Sequence, residues 1–237
     1  MTGDAPAVEA VGLIRIHRDG RSVLRSVDGV SLRLDAGEVV AVMGPSGSGK
    51  TTLLHLLAGL DRPDAGLVRI QGVDWQTLAG RARAAFRRRR CGFVLQGAAL
   101  LPQATAAENV EVPLLLDGVA PGDRQRRVAC ALDRVGLGRE AAKLPDQLSG
   151  GQQQRVAIAR ALVGEPSVVL ADEPTGSLDS ATGATVVALL VEAARDRNAA
   201  VVLVTHDPAV AAHADRVVRL RSGRLEPDTS PPAEEAR

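Results

Sequence analysis

Gly44-Pro-Ser-Gly-Ser-Gly-Lys50-Thr51 is an arrangement of residue types suited to holding a polyphosphate. Glycines let the backbone turn tightly with its N–H groups inward, and the helix expected from Thr51 to Leu60 adds free amides and the positive end of its dipole. Gly44, Pro45, Ser46, Gly47, Ser48 and Gly49 would then wrap the phosphates, with Thr52 in the helix's first turn. Lys50 supplies a point charge for the outer phosphates, and Thr51 places a hydroxyl for a Mg2+ ion bridging them. The apolar run Val39-Val-Ala-Val-Met43 before the loop and the helix after it are the context this spacing requires.

Asp172 and Glu173 close a second apolar run, Ser167 to Ala171, bounded by Pro166 and Pro174. The run lacks alternation, so it reads as a parallel strand buried on both faces. A carboxylate at its C-terminal edge would sit beside the phosphate loop, where open α/β sheets bind ligands. There Asp172 would hold Mg2+ through water and Glu173 would polarise an attacking water; the plainer reading is a cap for the next helix. Leu148-Ser-Gly-Gly-Gln152 opens another helix, to about Val163, whose N-terminus makes a second anion site with a hydroxyl donor. An ordinary N-cap is the alternative.

These three motifs together resemble the ABC-type ATPases, and the resemblance covers about Val8 to Glu226. It implies an α/β fold: a P-loop NTPase core with a mainly parallel sheet flanked by helices, an antiparallel β flank and a helical subdomain. One ATP-binding domain would span residues 8–226, with the subdomain at about 97–162 and loose termini at 1–7 and 227–237. The implied activity is hydrolysis of ATP with Mg2+. Gln96 matches the glutamine that reaches Mg2+ and the attacking water, so Thr51, Gln96 and Asp172 form the implied metal set. His206, after the strand Ala200 to Val204, matches the histidine that contacts the γ-phosphate and orients the water beside Glu173. Ser149, Gly150, Gly151, Gln152 and Asp179 match positions that meet the nucleotide of the opposite protomer. The implied partner is therefore a second copy, or a homologous ATPase subunit, joined head to tail around two nucleotides.

Leu100-Leu-Pro102 and Thr105-Ala-Ala-Glu-Asn109-Val resemble the stretch, beginning after Gln96, that receives a coupling helix of an integral membrane permease. The runs Gln147 to Leu162 and Ala171 to Asp179 are similar to the lipoprotein-release, macrolide-export and cell-division branch, whose ATPases drive mechanical work in permeases of few membrane helices. The chain departs from the family at three positions. His17 stands where an aromatic residue stacks on adenine, and reads either as a base contact or as a solvent-facing strand residue. Ser177 stands where asparagine is usual, and Leu95 where phenylalanine commonly precedes the glutamine.

The remaining sequence narrows the classes. A chain of 237 residues with net charge +1 can bury one sizeable core and lacks the charge for wholesale polyanion binding. Cys91 and Cys130 have no metal-ligand spacing and suggest no disulfide framework, which suits a reducing cytosol. No apolar run is long enough to span a bilayer. A cytoplasmic subunit, peripheral on the inner face of the plasma membrane, is expected. Strands are expected near Val8 to Ile16, Val30 to Leu34 and Leu67 to Ile70. Helices are expected at Thr105 to Leu116, with a cap at Thr105, and from Pro121 to about Val135. No long coiled-coil insertion interrupts them, which weighs against a soluble ATPase that remodels a macromolecular assembly, the main alternative function. A non-hydrolytic nucleotide sensor would need the acidic pair to be idle. The basic run Arg81, Arg83 and Arg87 to Arg90 has almost no aromatic interleaving, so a solvated helix face is favoured over a membrane-surface patch, and nucleic acid is not an expected partner.

Overall fold

Valine-rich strands with no polar face need cover on both sides, and the chain supplies it from two directions. The computed structural model describes residues 5–19 and 22–226. Five parallel strands form its centre: β3 (Val39–Met43), β6 (Cys91–Val94), β7 (Val168–Asp172), β8 (Ala200–Thr205) and β9 (Arg216–Arg221). Short β10 (Arg224–Leu225) pairs antiparallel with β9, giving the order β10-β9-β3-β8-β7-β6. Side chains alternate between two cores: Val40, Val42, Leu170 and Val202 enter one, while Val39, Val169, Val201 and Leu203 enter the other.

The first core is closed by an antiparallel sheet in the order β2-β1-β4-β5, formed by β1 (Val8–Asp19), β2 (Ser22–Leu34), β4 (Ala65–Ile70) and β5 (Val73–Asp74). Helix α1 (Lys50–Leu57) packs against both sheets through Leu53, Leu54, Leu56 and Leu57, all buried. Strand β2 begins eight residues before the expected Val30, and β1 continues past Ile16. The reason is irregular pairing: the register of β1 against β2 shifts between Ala10 and Leu13, Leu13 and Ile14, and Arg15 and Ile16. Each shift resets which residues face the core, so no single alternation runs along either strand. Ala7 is buried and its carbonyl accepts from the Gln71 N–H, so order begins before the end of the loose start expected through residue 7. The remainder of that expectation, at residues 1–4 and 227–237, lies outside the described residues.

The second core lies under α3 (Ala106–Leu116), α4 (Pro121–Arg134), α5 (Gly150–Leu162) and α6 (Ser180–Arg195). Thr105 caps α3 as expected: its hydroxyl accepts from the Glu108 N–H, and the Glu108 carboxylate accepts from the Thr105 N–H at 2.7 Å. Gly151 faces Thr182 of α6 so closely that a Cβ would lie 2.6 Å from the threonine methyl, which makes its lack of a side chain a packing requirement. A short α7 (Pro208–Ala211) follows β8.

The basic run forms α2 (Gly80–Arg90), which has no buried residue. It is nevertheless tied down. Arg83 stacks over Trp75, Arg87 donates to the Gly59 carbonyl, and Arg88 and Arg89 both grip Asp117 just past α3. Four of its arginines are thus engaged within the chain, which leaves less free charge for a lipid or nucleic-acid surface than the sequence suggests.

Between Gln96 and α3 the chain is fixed by a fully buried amide. Asn109 Oδ1 accepts from the Leu101 N–H at 2.8 Å, and its Nδ2 donates to the carbonyls of Leu101, Ala104 and Thr105. Asn109→Leu would strand these groups away from water, and urea denaturation should show a loss of about 1–3 kcal/mol. An unchanged midpoint would mean that the segment does not depend on this amide.

Candidate active site

The parallel register sets the site. Met43 of β3 pairs with Thr205 of β8, and Val204 pairs with Asp172 of β7, so three strands end together at one sheet edge. The phosphate loop leaves the first, the acidic pair ends the third, and His206 follows the second. A cavity of about 780 Å³ opens there.

Its floor is the loop of residues 44–49. Gly49, with φ of +105°, turns the chain into α1, and a Cβ on it would stand 1.9 Å from the Ser26 carbonyl oxygen. Lys50 is buried, and its Nζ donates to the carbonyls of Gly44 and Pro45 at 2.8 and 3.0 Å, which lays the ammonium along the loop. From behind, the β9–β10 turn braces the loop through Gly223 N–H to Ser48 O. Pro45, Ser46, Gly47, Gly49, Thr51 and Thr52 line the cavity. Gly44 and Ser48 form the loop without lining it; Ser48 Oγ is buried and has no hydrogen-bond partner among the described residues.

The acidic wall is equally defined. Glu173 has φ of +44°, a left-handed conformation rare for a residue with a side chain, held by its N–H bonding to the Val204 carbonyl. That turn swings the carboxylate against β8's end: Glu173 Oε1 lies 2.8 Å from His206 Nδ1, and Thr205 Oγ1 donates to Glu173 Oε2. A carboxylate oxygen accepts, so Nδ1 is the donor in this contact. Asp172 is half-buried, and its Oδ1 has no hydrogen-bond partner among the described residues. Burial pushes its carboxyl above the ordinary carboxylate range, with the Thr51 hydroxyl and Lys50 opposing and Glu173 adding to the rise. Gln96, two residues past the end of β6, completes this side and lies against Gly176.

At the other end of the cavity are His17 and a residue not singled out from sequence, Leu24. The two are cross-strand partners on β1 and β2, and both line the cavity. Leu24 is 60% exposed, an apolar side chain presented to the opening. The register shifts that hid β2 hid it too.

Ser149, Gly150, Gly151, Gln152 and Asp179 do not line this cavity. Ser149 Oγ accepts from the Gln152 N–H and the Gln152 side chain accepts from the Ser149 N–H, so α5 opens in a capping box. The hydroxyl hydrogen of Ser149 remains to donate outward. Asp179 caps α6, and bonds from Thr182 hold its carboxyl below the ordinary range. Within one chain, then, Ser149 is the N-cap of α5 and Asp179 that of α6. The loop's backbone amides, the Lys50 cation and an adjacent carboxylate pair make the cavity suited to positioning a nucleoside polyphosphate for attack by water.

Comparison with known proteins decides the family. The ABC transporter profile matches residues 27–176. The chain belongs to the ABC transporter family. It is 48% identical over 213 residues to the lipoprotein-releasing system ATP-binding protein LolD of Legionella pneumophila, covering 90% of this chain and 94% of that one. It is 49% identical over 228 residues to the macrolide export ATP-binding/permease protein MacB of Rhodospirillum rubrum, covering 96% of this chain but 35% of the longer protein. Among solved structures, the ATP-binding cassette MJ0796, a dimer in a post-hydrolysis state bound to ADP and Pi, superposes with a TM-score of 0.84 at 39% identity, covering 92% and 96% of the two chains. The cassette fold and ATPase class expected from the motifs therefore hold.

The raised Asp172 carboxyl carries a sign. A folded-state value above the unfolded one means that ionisation costs stability; the cost is absent below the ordinary value and develops as pH rises through the raised one. Asp172→Asn should therefore melt no lower than the parent at pH 7 without nucleotide, while gaining less from added Mg-ATP. A clear fall in the nucleotide-free Tm would contradict this electrostatic account of the site.

Proposed function

We propose that this cassette is the ATP-hydrolysing subunit of a transporter of the LolD and MacB type, working as a head-to-tail pair and driving a separate integral membrane permease from the cytoplasmic face of the membrane. What supports the pairing most is the placement of the Ser149 turn: a helix N-terminus with an outward hydroxyl, exposed and apart from the chain's own cavity. A second copy supplies the phosphate for it.

Within one site, Lys50 and the loop amides hold the β- and γ-phosphates. The orphaned Asp172 Oδ1 beside the Thr51 hydroxyl fits a Mg2+ ion carried in with the nucleotide, since magnesium keeps waters and needs few protein oxygens. Gln96 is the third residue assigned to it. Bound there, the ion would neutralise charge on the phosphate oxygens. Glu173 takes a proton from water as its oxygen attacks the γ-phosphorus and ADP leaves, and His206 holds the Glu173 carboxylate in place through Nδ1. Ser149, Gly150, Gly151 and Gln152 of the opposite copy donate to the γ-phosphate, and Asp179 lies at the same seam. His17 and Leu24 border the base.

The permease docks beside the segment after Gln96. A groove of about 370 Å³ lies there between α2, β6, α3 and α5, with Phe93, Leu95 and Leu116 among its walls. Leu101, Leu115 and Leu116 are each at least half exposed, an apolar border suited to an amphipathic helix.

Glu173→Gln tests both parts. It should bind ATP, lose hydrolysis about 10²–10⁴-fold, and accumulate as a dimer on size exclusion with Mg-ATP. Loaded with ATP, the same protein should retain a polytopic membrane protein from detergent-solubilised host membranes. Full turnover would sink the assigned role of Glu173, and capture of soluble proteins alone would favour the remodelling function.

A further inference from the structure

Gln96 is followed by three consecutive residues in the left-handed region, Gly97 at φ +73°, Ala98 at +61° and Ala99 at +46°. Two of them carry a Cβ, for which this conformation is unfavourable, and a run of such residues persists only where its surroundings over-determine it. Local bonds do part of the holding: Ala98 N–H reaches the Leu95 carbonyl and Ala99 N–H the Gly97 carbonyl. The rest comes from one helix. Arg160 of α5 donates from Nη2 to the Ala98 carbonyl and from Nη1 to the Ala99 carbonyl, both at 2.8 Å. Gln154, buried on the same helix, donates from Nε2 to the Leu95 carbonyl on the other side of Gln96. The backbone on both flanks of Gln96 is therefore tethered to α5, the helix whose N-terminus is the Ser149 turn.

We infer that Arg160 and Gln154 are positioning residues that make the Gln96 segment and the Ser149 helix move as one body. The inference rests on the proposed function, because it assigns Gln96 to the nucleotide and Ser149 to the nucleotide of the opposite copy. Given that, the two groups meeting the two seam nucleotides are coupled mechanically: a shift that brings Ser149 towards the partner's phosphate carries the Gln96 backbone with it. A guanidinium suits the task, since its planar fork reaches two neighbouring carbonyls at once, whereas an ammonium acts as a point donor. Neither side chain lines the cavity, so both act through Gln96.

The test is steady-state ATPase kinetics on the full chain with Arg160→Met, Arg160→Lys, Gln96→Ala and the two double variants, with Glu173→Gln measured alongside. Arg160→Met should lower kcat about 10- to 100-fold while KM for ATP moves by less than about twofold, as for a misplaced reacting group. Arg160→Lys should fall between it and the parent. In the Gln96→Ala background neither change should lower kcat much further, because both act on the same group. Should Arg160→Met be recovered unfolded, Arg160→Lys carries the same cycle alone. An unchanged kcat, a loss shared equally by kcat and KM, or losses that multiply with Gln96→Ala would each overturn the clamp. Undiminished hydrolysis by Glu173→Gln would instead overturn the functional reading on which it rests.

Discussion

Everything at the site depends on the pairing of three parallel strands. Because β3, β8 and β7 run side by side with Met43 opposite Thr205 and Val204 opposite Asp172, their C-terminal ends fall in one row. A one-residue slip in either pairing would send the slipped strand's side chains to the opposite core and move its end out of the row. The chemistry inherits that precision. The phosphate loop, the acidic pair and His206 each extend from a strand end that the core has already fixed.

The functional groups use strain and desolvation that the fold supplies. Glu173 adopts a left-handed conformation where β7 ends, and this turn brings its carboxylate to His206. Asp172 is half-buried with one oxygen unpaired among the described residues, an unfavourable state that a cation would relieve. The same pattern recurs beyond Gln96, where Ala98 and Ala99 are held by Arg160. Helix α5 thereby does three jobs along its length. Its N-terminus presents Ser149; Gln153 reaches back to the carbonyls of Pro145 and Leu148, fixing the loop ahead of it; Gln154 and Arg160 grip the Gln96 segment.

Much of this was legible in the sequence because the phosphate loop, the acidic strand end and the Ser-Gly-Gly turn are local signals whose spacing states their geometry. The helices with capping residues were equally readable, as Thr105 and Glu108 show. What escaped was set by pairing at long range. The register shifts of β1 against β2 erased the alternation that would have revealed β2's full length and, with it, Leu24 facing the cavity. The arginines of α2 read as a solvated face because their partners, Gly59, Trp75 and Asp117, lie in other elements. Arg160 and Gln154 sat inside a recognised motif, but their hydrogen bonds go to backbone carbonyls some sixty residues away, and a carbonyl leaves no mark in a sequence.

Each ATP site, as proposed, joins Lys50 of one copy to Ser149 of another, and mixing two disabled proteins tests this most directly. Lys50→Ala lacks the phosphate cation, and Ser149→Arg blocks the turn; each should be inactive alone. In a head-to-tail hybrid one seam carries both defects, while the other joins an intact Lys50 loop to an intact Ser149 turn. The mixture should regain ATP hydrolysis, rising with protein concentration as hybrids form. A mixture as inactive as its components, with hybrid dimers present, would contradict it.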